Sequence, residues 1–470
     1  MHRRPQKWRI KMKKAILKSE AERKGVSAEM NAAYAAKLSR MIDCKTVWTR
    51  DGKNKAEFEK FYVLLEELFP NLTAKAEKLT FGGGCFFYVI KGKHATKNIL
   101  LMSHHDVVEG SDGWETDPFR ATEKDGYLYG RGTIDTKTPL FAELQAAEEL
   151  LAERYDFEGI NLYIGSSNNE EVCGDGMVLA EEYFRASGIR FALVLDEGGA
   201  ITEGQIPGVK CKSAVVAVHE KSRHIYRCTA TLDTKGHGGF GGAKDSAVER
   251  LSRFITEISD KKDRIYKGRF YPEVRATFER HVPHMSFPMN LLFGNIGVFS
   301  PVIKKIMMGI PAASAMLSTG LSFTTMKAGD DRDPQMRAKT AEVTMFLRCI
   351  REDDLYFGLE KIKKIAAKYG VSILETERDY CEPTDFEKEA YTTVETLLHE
   401  NFPDVAVVPF LLTAGTDARR LTDIADNILR FAPIDLNKKQ FASIHGDNEH
   451  IGIKNIGECV VFYKDVVRKI

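Results

Sequence analysis

Asn98-Ile99-Leu100-Leu101-Met102-Ser103-His104-His105-Asp106 decides the fold. A short apolar run, continuous rather than alternating, closes on two imidazoles and a carboxylate. Such a run reads as a strand buried on both faces of a parallel sheet. The pattern recurs downstream. Asn161-Leu162-Tyr163-Ile164-Gly165 leads through polar residues to Asn169-Glu170-Glu171, and Phe191-Ala192-Leu193-Val194-Leu195 runs into Asp196-Glu197-Gly198-Gly199. Between the first two, 138–153 places Leu140, Leu144, Ala147 and Leu151 at helical spacing, with Pro139 in the first turn where its missing N–H is not needed. This alternation implies an α/β fold, a mixed and mostly parallel sheet flanked by helices. Functional groups in such sheets collect at the carboxyl ends of the strands.

Beyond residue 210 the pattern changes. Residues 214–219 and 225–232 read as strands, 245–258 as a helix and 341–350 as another strand, a smaller α+β unit. A helical stretch (356–369) and a strand (371–375) then resume. The expected layout is one α/β domain over 1–212 and 353–470, interrupted by an inserted α+β domain over 213–352. Within the insert, 285–317 is the most apolar segment. Asn295, Pro301, Lys304, Lys305 and Pro311 interrupt it, so no run reaches the ~18–20 residues of a membrane-spanning helix.

The length of 470 residues suits two domains, and 43% hydrophobic with 29% charged residues is ordinary for a globular enzyme. Lys+Arg 68 against Asp+Glu 67 leaves net +1, so bulk charge implies neither a nucleic-acid nor a membrane partner. The eight cysteines include no CxxC pair, and a reduced, cytoplasmic setting is expected. Arg3, Arg4, Lys7, Arg9, Lys11, Lys13 and Lys14 make the N-terminus basic, with no apolar core of a signal peptide behind them. It reads as a solvated leader into a first helix, or as an arm for a surface or partner.

Five stretches carry metal-type ligands. His104 suits a ligand whose other ring nitrogen is held by Asp106, although a loop histidine bonded to a neighbouring aspartate has the same spacing. His105 points the other way in an extended segment. Asp135 follows Gly130-Arg131-Gly132-Thr133-Ile134 and opens a helix; it suits a carboxylate bridging two cations ~3.5–4 Å apart and equally a helix cap. Glu170 and Glu171 repel one another unless a cation lies nearby or one takes a proton. One then binds metal while the other acts as general base; a solvated loop is the alternative. His445, in Ile444-His445-Gly446-Asp447-Asn448-Glu449, adds a second imidazole. Together these residues are the ligand mix of a two-zinc hydrolase. His237, in Lys235-Gly236-His237-Gly238-Gly239, reads alone as a turn residue. Gly415-Thr416-Asp417-Ala418-Arg419 offers backbone donors and a cation to an anion, and Arg348 suits bidentate binding of a carboxylate.

Taken in order from 104 to 449, these motifs resemble the aminoacylase / glutamate carboxypeptidase / acetylornithine deacetylase family of di-zinc metallopeptidases, nearest its Gly-Xaa carboxypeptidase and N-acyl-amino-acid hydrolase branch. Trp114 with Asp117-Pro118-Phe119, and Glu220-Lys221, extend the likeness. The resemblance implies a zinc-exopeptidase-like fold whose insert is a lid and dimerisation domain. It implies two Zn²⁺, with Co²⁺ or Mn²⁺ as substitutes: His104 and Glu197 on one ion, Glu171 and His445 on the other, Asp135 bridging. Glu170 would be the base and Asp106 the orienting carboxylate. His237 would reach the partner's active site in a homodimer and stabilise the oxyanion, while Arg348, Gly415, Thr416 and Arg419 would bind substrate. Asp333-Pro334-Gln335-Met336-Arg337 departs from the family's asparagine-rich turn, and Ala328-Gly329 from its glycine pair. Both departures bear on substrate identity rather than on the metals.

The expected reaction is hydrolysis of an amide bond next to a free carboxylate, of the carboxypeptidase or dipeptidase type, with a small peptide or an N-acyl amino acid as substrate. The ion pair lowers the pKa of a water toward ~7, and Glu170 takes its proton and passes it to the leaving amine. An N-acyl-amino-acid deacylase shares every step. A catalytically silent binding protein on this fold would be expected to lack Glu170 or a ligand, and all are present.

Overall fold

The apolar runs become strands. In the computed structural model, which describes residues 22–206, 208–232, 245–329 and 335–470, Ile160–Ser166, Lys97–Met102, Leu193–Asp196 and Ile428–Arg430 lie side by side and parallel. Glu77–Phe81 and Cys85–Lys91 extend this centre antiparallel on one side. Lys212–Glu220 extends it on the other and pairs in parallel with Val405–Leu412. The result is a ten-stranded mixed sheet.

Side chains alternate across a strand, so the same strands feed two cores. Phe86, Tyr88, Ile90, Ile99 and Leu101 enter one, covered by the helices Ala28–Ile42, Lys137–Ala152 and Ile453–Lys469. Phe87, Val89, Leu100 and Met102 enter the other, covered by Gly176–Ala186 and the 3-10 segment Asp417–Ile424. The helix Lys137–Ala152 is buried almost all round, because the sheet packs on one side and three helices on the others. Even Lys137 is enclosed, its Nζ donating to the carbonyls of Met41 and Cys44 at 3.0 and 2.8 Å.

A second, four-stranded antiparallel sheet runs Gly320–Ala328, Thr340–Cys349, Ser222–Thr231, Val371–Asp379. The helices Ala247–Ile265 and Glu352–Tyr369 pack on it around Phe254, Met345, Leu347 and Leu359. Sheet membership therefore departs from the expected 213–352. Lys212–Glu220 belongs to the large sheet, whereas Glu352–Tyr369 and Val371–Asp379 belong to the small one. Val371–Asp379 is largely solvent-facing, with Arg223 opposite Asp379 and Ala230 opposite Val371. Only that distant pairing assigns it to the second sheet.

The apolar stretch 285–317 folds into the short helices Met289–Gly294, Ile296–Met308 and Pro311–Ala315. Among the described residues, no helix is long and apolar enough to cross a membrane.

Candidate active site

Past Met102 the chain stays extended, with Ser103 N–H on the Gly165 carbonyl and His105 N–H on the Ser167 carbonyl. Alternation then puts His104 and Asp106 on one side and His105 on the other. His105 packs against Phe61 and Phe86, ring centroids 5.1 and 5.4 Å away, and burial pushes its pKa well below the usual imidazole value.

His104 Nδ1 lies 2.9 Å from the main-chain carbonyl of Asp106, which keeps a proton on Nδ1 and turns Nε2 toward the cleft. That Nε2 is 3.0 Å from Asp135 Oδ1. The orienting acceptor is thus the Asp106 carbonyl rather than its carboxylate, whose Oδ1 is 3.5 Å away. The carboxylate instead accepts the N–H groups of Glu170 and Glu171, at 3.0 and 3.1 Å. Two main-chain donors converge on it, so Asp106 positions the loop that carries both glutamates.

Asp135 closes a turn in which Gly132 has φ +90°, a conformation that favours glycine. The N–H groups of Ile134 and Asp135 donate to Glu449 Oε1 at 2.6 and 3.1 Å. Glu449 Oε2 accepts from Arg131 Nη1 at 2.7 Å, and Arg131 Nη2 donates to the Gly446 carbonyl at 2.7 Å. One buried ion pair therefore fastens the Asp135 turn to the loop bearing His445. His445 Nε2 stands 3.0 Å from Asp135 Oδ2 and 3.2 Å from Glu171 Oε2. Asp135 thus offers one oxygen to each imidazole. Hydrogen bonds to Asp135 and Glu171 push His445 up to about 10. Burial alone would raise the Asp135 carboxyl, but the two imidazoles hold it well below the usual carboxylate range.

Glu197 follows Asp196, whose carboxylate accepts the N–H groups of Glu197 and Ala418, both at 2.9 Å. His104, Asp135, Glu170, Glu171, Glu197, Gly415, Thr416 and His445 all line one cleft of about 280 Å³. Apart from Thr136 its remaining wall is apolar, with Leu412, Ile434, Leu436, Phe441 and Ile444. The tightest donor group is His104, Asp135 and Glu171, their ligand atoms within 4.8 Å of one another; Glu197 lies on the same cleft outside that group. Burial raises both Glu170 and Glu197 well above the usual carboxylate range.

These residues fit divalent metal. Four carboxylates converge on a cleft whose lining contains neither Lys nor Arg. Glu171 Oε1 is buried without a hydrogen-bond partner. His104 Nε2 faces a carboxylate oxygen at 3.0 Å, a distance that requires a cation or a proton between them. Donor separations of 3.0 to 3.2 Å also match the ~3.3 Å edge of a tetrahedron built on ~2.0 Å bonds to zinc.

The expected substrate residues separate into two groups. Thr416 donates both its N–H and its hydroxyl to Glu220 Oε2, at 3.1 and 2.9 Å, so neither is free for substrate. Arg430 Nε donates to the same oxygen at 2.6 Å. Arg419 Nη1 holds the Thr416 carbonyl at 2.7 Å. Arg348 has no hydrogen-bond or ion-pair partner among the described residues. It flanks Gly415, where a Cβ would lie 3.1 Å from Arg348 Nη1 and 2.8 Å from Arg419 Nη1. His237 lies outside the described residues, as do Asp333 and Pro334 of the 333–337 turn. The Arg131–Glu449 and Glu220–Arg430 pairs were assigned no role from sequence. Each joins residues hundreds of positions apart, and no local pattern marks them.

A mixed α/β sheet that gathers imidazoles and carboxylates at its strand ends is the build of a metal-dependent hydrolase. The chain belongs to peptidase family M20/M25/M40, whose model matches residues 100–469. Among its relatives is the mouse N-fatty-acyl-amino acid synthase/hydrolase PM20D1, 26% identical over 454 residues, covering 94% of this chain and 88% of the relative. Another is the probable carboxypeptidase S-like 2 of Dictyostelium discoideum, 26% identical over 421 residues, with 88% and 79% covered. Among solved structures, the M20 metallo-carboxypeptidase Sso-CP2 of Sulfolobus solfataricus superposes with TM-score 0.65 at 16% identity, covering 93% of this chain and 98% of that one. Human carnosine dipeptidase 1 gives 0.61 at 15%, covering 94% and 97%. At these identities the likeness establishes the fold.

Proposed function

We propose that this enzyme hydrolyses an amide bond beside a free carboxylate, with two divalent cations, zinc foremost, held by His104, Asp135, Glu171, Glu197 and His445. The observation that carries this reading is Asp135, which presents one oxygen to each of two imidazoles at 3.0 Å. When bound, such a cation pair polarises the scissile carbonyl and acidifies a water. Glu170 adjoins these ligands without belonging to the tight donor group. Burial raises its affinity for a proton, which suits a group that takes a proton from water and delivers it to the leaving amine. Asp106 holds Glu170 in place through the main chain. Arg348, which has no hydrogen-bond or ion-pair partner among the described residues, receives the substrate carboxylate, and Gly415 keeps the approach to its guanidinium open.

Of the two substrate classes, small peptides and N-acyl amino acids, the apolar wall of Leu412, Ile434, Leu436 and Phe441 favours an N-acyl amino acid. The acyl names of several relatives agree with this. We further infer a homodimer in which His237 of the partner subunit stabilises the oxyanion. A cytoplasmic, reducing location suits eight cysteines that are all unpaired.

The deciding experiment is Glu170→Ala, assayed on a panel of dipeptides and N-acyl amino acids alongside elemental analysis. Two metal ions per chain with turnover reduced at least a hundredfold is the expected outcome. Near-normal turnover with both ions bound would remove Glu170 from the reaction.

A further inference from the structure

Six of the seventeen large apolar side chains exposed among the described residues fall between positions 287 and 310: Phe287, Leu291, Val298, Val302, Ile306 and Ile310. Phe287 and Val298 are 77% and 76% exposed. On the helix Ile296–Met308, Val298, Val302 and Ile306 recur every four residues and so share a face. Ile296, Ile303 and Met307 turn the other way, into a core with Phe278, Phe293 and Leu317. The helix is thus already packed on its inner side, and its outer side is a second apolar face. The exposed side chains amount to on the order of 500 Å², the upper end of what a lone soluble chain leaves uncovered.

Charge accompanies this face in one sign only. Residues 285–317 contain no Asp or Glu, and their only charged groups are Lys304 and Lys305. On the preceding helix, Glu279 is paired with Arg275 at 2.7 Å. The face also adjoins the cleft. Lys221 Nζ donates to the carbonyls of Ala315 and Ser318, at 3.0 and 2.8 Å. Its neighbour Glu220 holds Thr416 in the cleft wall. Leu411 belongs to the core beneath the face, while Leu412 lines the cleft.

We propose that the face of Phe287, Leu291, Val298, Val302 and Ile306, rimmed by Lys304 and Lys305, docks the enzyme peripherally on an anionic lipid surface. Apolar side chains enter the boundary between headgroups and acyl chains, and lysines meet the lipid phosphates. A second copy of the chain is the poorer occupant, because its own Lys304 and Lys305 would meet this face with no acid on the segment to receive them. The net charge of +1 gave no reason to expect a membrane partner; the local arrangement of charge and apolar surface does. Docking places the cleft beside a phase in which amphiphilic substrates concentrate.

The test does not depend on the proposed hydrolysis, since it needs no turnover. The full chain is sedimented with phosphatidylcholine vesicles, with and without phosphatidylserine, at low and high salt. Pelleting with the phosphatidylserine vesicles, weakened by salt, is the expected result. Val298→Asp/Val302→Asp should lower the partition coefficient by about tenfold or more, and Lys304→Gln/Lys305→Gln by a smaller factor. Circular dichroism of both variants should match the parent chain, because Val298, Val302 and Lys305 are exposed and Lys304 is only half-buried. The proposal is overturned if the parent does not pellet, or if Val298→Asp/Val302→Asp pellets equally well. It also falls if light scattering finds a dimer that this variant converts to monomer, for then the face belongs to a second copy.

Discussion

Glu449→Gln is the sharpest perturbation available, because it changes one charge and almost no volume. Glu449 and Arg131 are 0% and 2% exposed and meet at 2.7 Å. Neutralising one member of a buried pair leaves the other charge uncompensated, which costs about 3–5 kcal/mol. Arg131 retains the Gly446 carbonyl and a Trp114 ring 5.3 Å from its guanidinium, so the lower end of that range is expected. The substitution also weakens the acceptor of two N–H bonds that shape the Asp135 turn. Loss of such support behind a metal ligand lowers metal affinity by about 10–100-fold. Urea denaturation of the apo-protein measures the first effect and competition with a zinc chelator the second. A double-mutant cycle with Arg131→Met completes the test: the double variant should be less destabilised than the sum of the singles. Unchanged metal affinity in Glu449→Gln would refute the claim that this ion pair sets the Asp135 turn. Strict additivity in the cycle would refute the buried pairing itself.

Gly415→Ala crowds both Arg419 and Arg348, so KM for a carboxylate-bearing substrate should rise by about tenfold with kcat largely kept, a loss of ~1.4 kcal/mol from a charged hydrogen bond; an unchanged KM would place the substrate carboxylate elsewhere. His281, bonded to Ser213 and the Thr277 carbonyl, is lowered by burial from 6.5 to about 4. The unfolded chain therefore binds the extra proton first, and stability falls as pH drops from 6.5 towards 4, by roughly 3 kcal/mol in all. His281→Gln should flatten that part of the urea-midpoint profile, and an identical slope in parent and variant would exclude His281 as its source. Chelation should abolish turnover and also lower the thermal midpoint, with Zn²⁺ restoring both, since ligand binding to the folded state alone stabilises it. A midpoint insensitive to chelator and added Zn²⁺ would contradict metal binding at this cleft.

The positions of His104, Glu170, Glu171 and Glu197 were legible because each follows an apolar run, and such runs become buried strands in this sheet. The helix expected over 138–153 forms as Lys137–Ala152, since helical spacing and Pro139 are local signals. What escaped the sequence was non-local. Val371–Asp379 looked like a return to the first domain, and only its pairing with Ser222–Thr231 assigns it to the second sheet. Asp106 was expected to hold His104 through its carboxylate. A spacing of two residues does not distinguish a carboxylate from a carbonyl on the same residue, and here the carbonyl takes that bond. Thr416 looked free to bind an anion because its partner Glu220 is 196 positions away.

The single carboxylate of Asp106 grips two successive peptide N–H groups, those of Glu170 and Glu171. The proposed base and its neighbouring ligand therefore share one anchor, and one peptide bond sets the distance between them. Any shift of that loop carries the two together relative to His104 and Asp135. On the proposed roles, proton transfer and metal retention would rise and fall together with the position of this loop. Variants that trade a little of one for more of the other are not to be found by moving the loop; they require changing a glutamate itself.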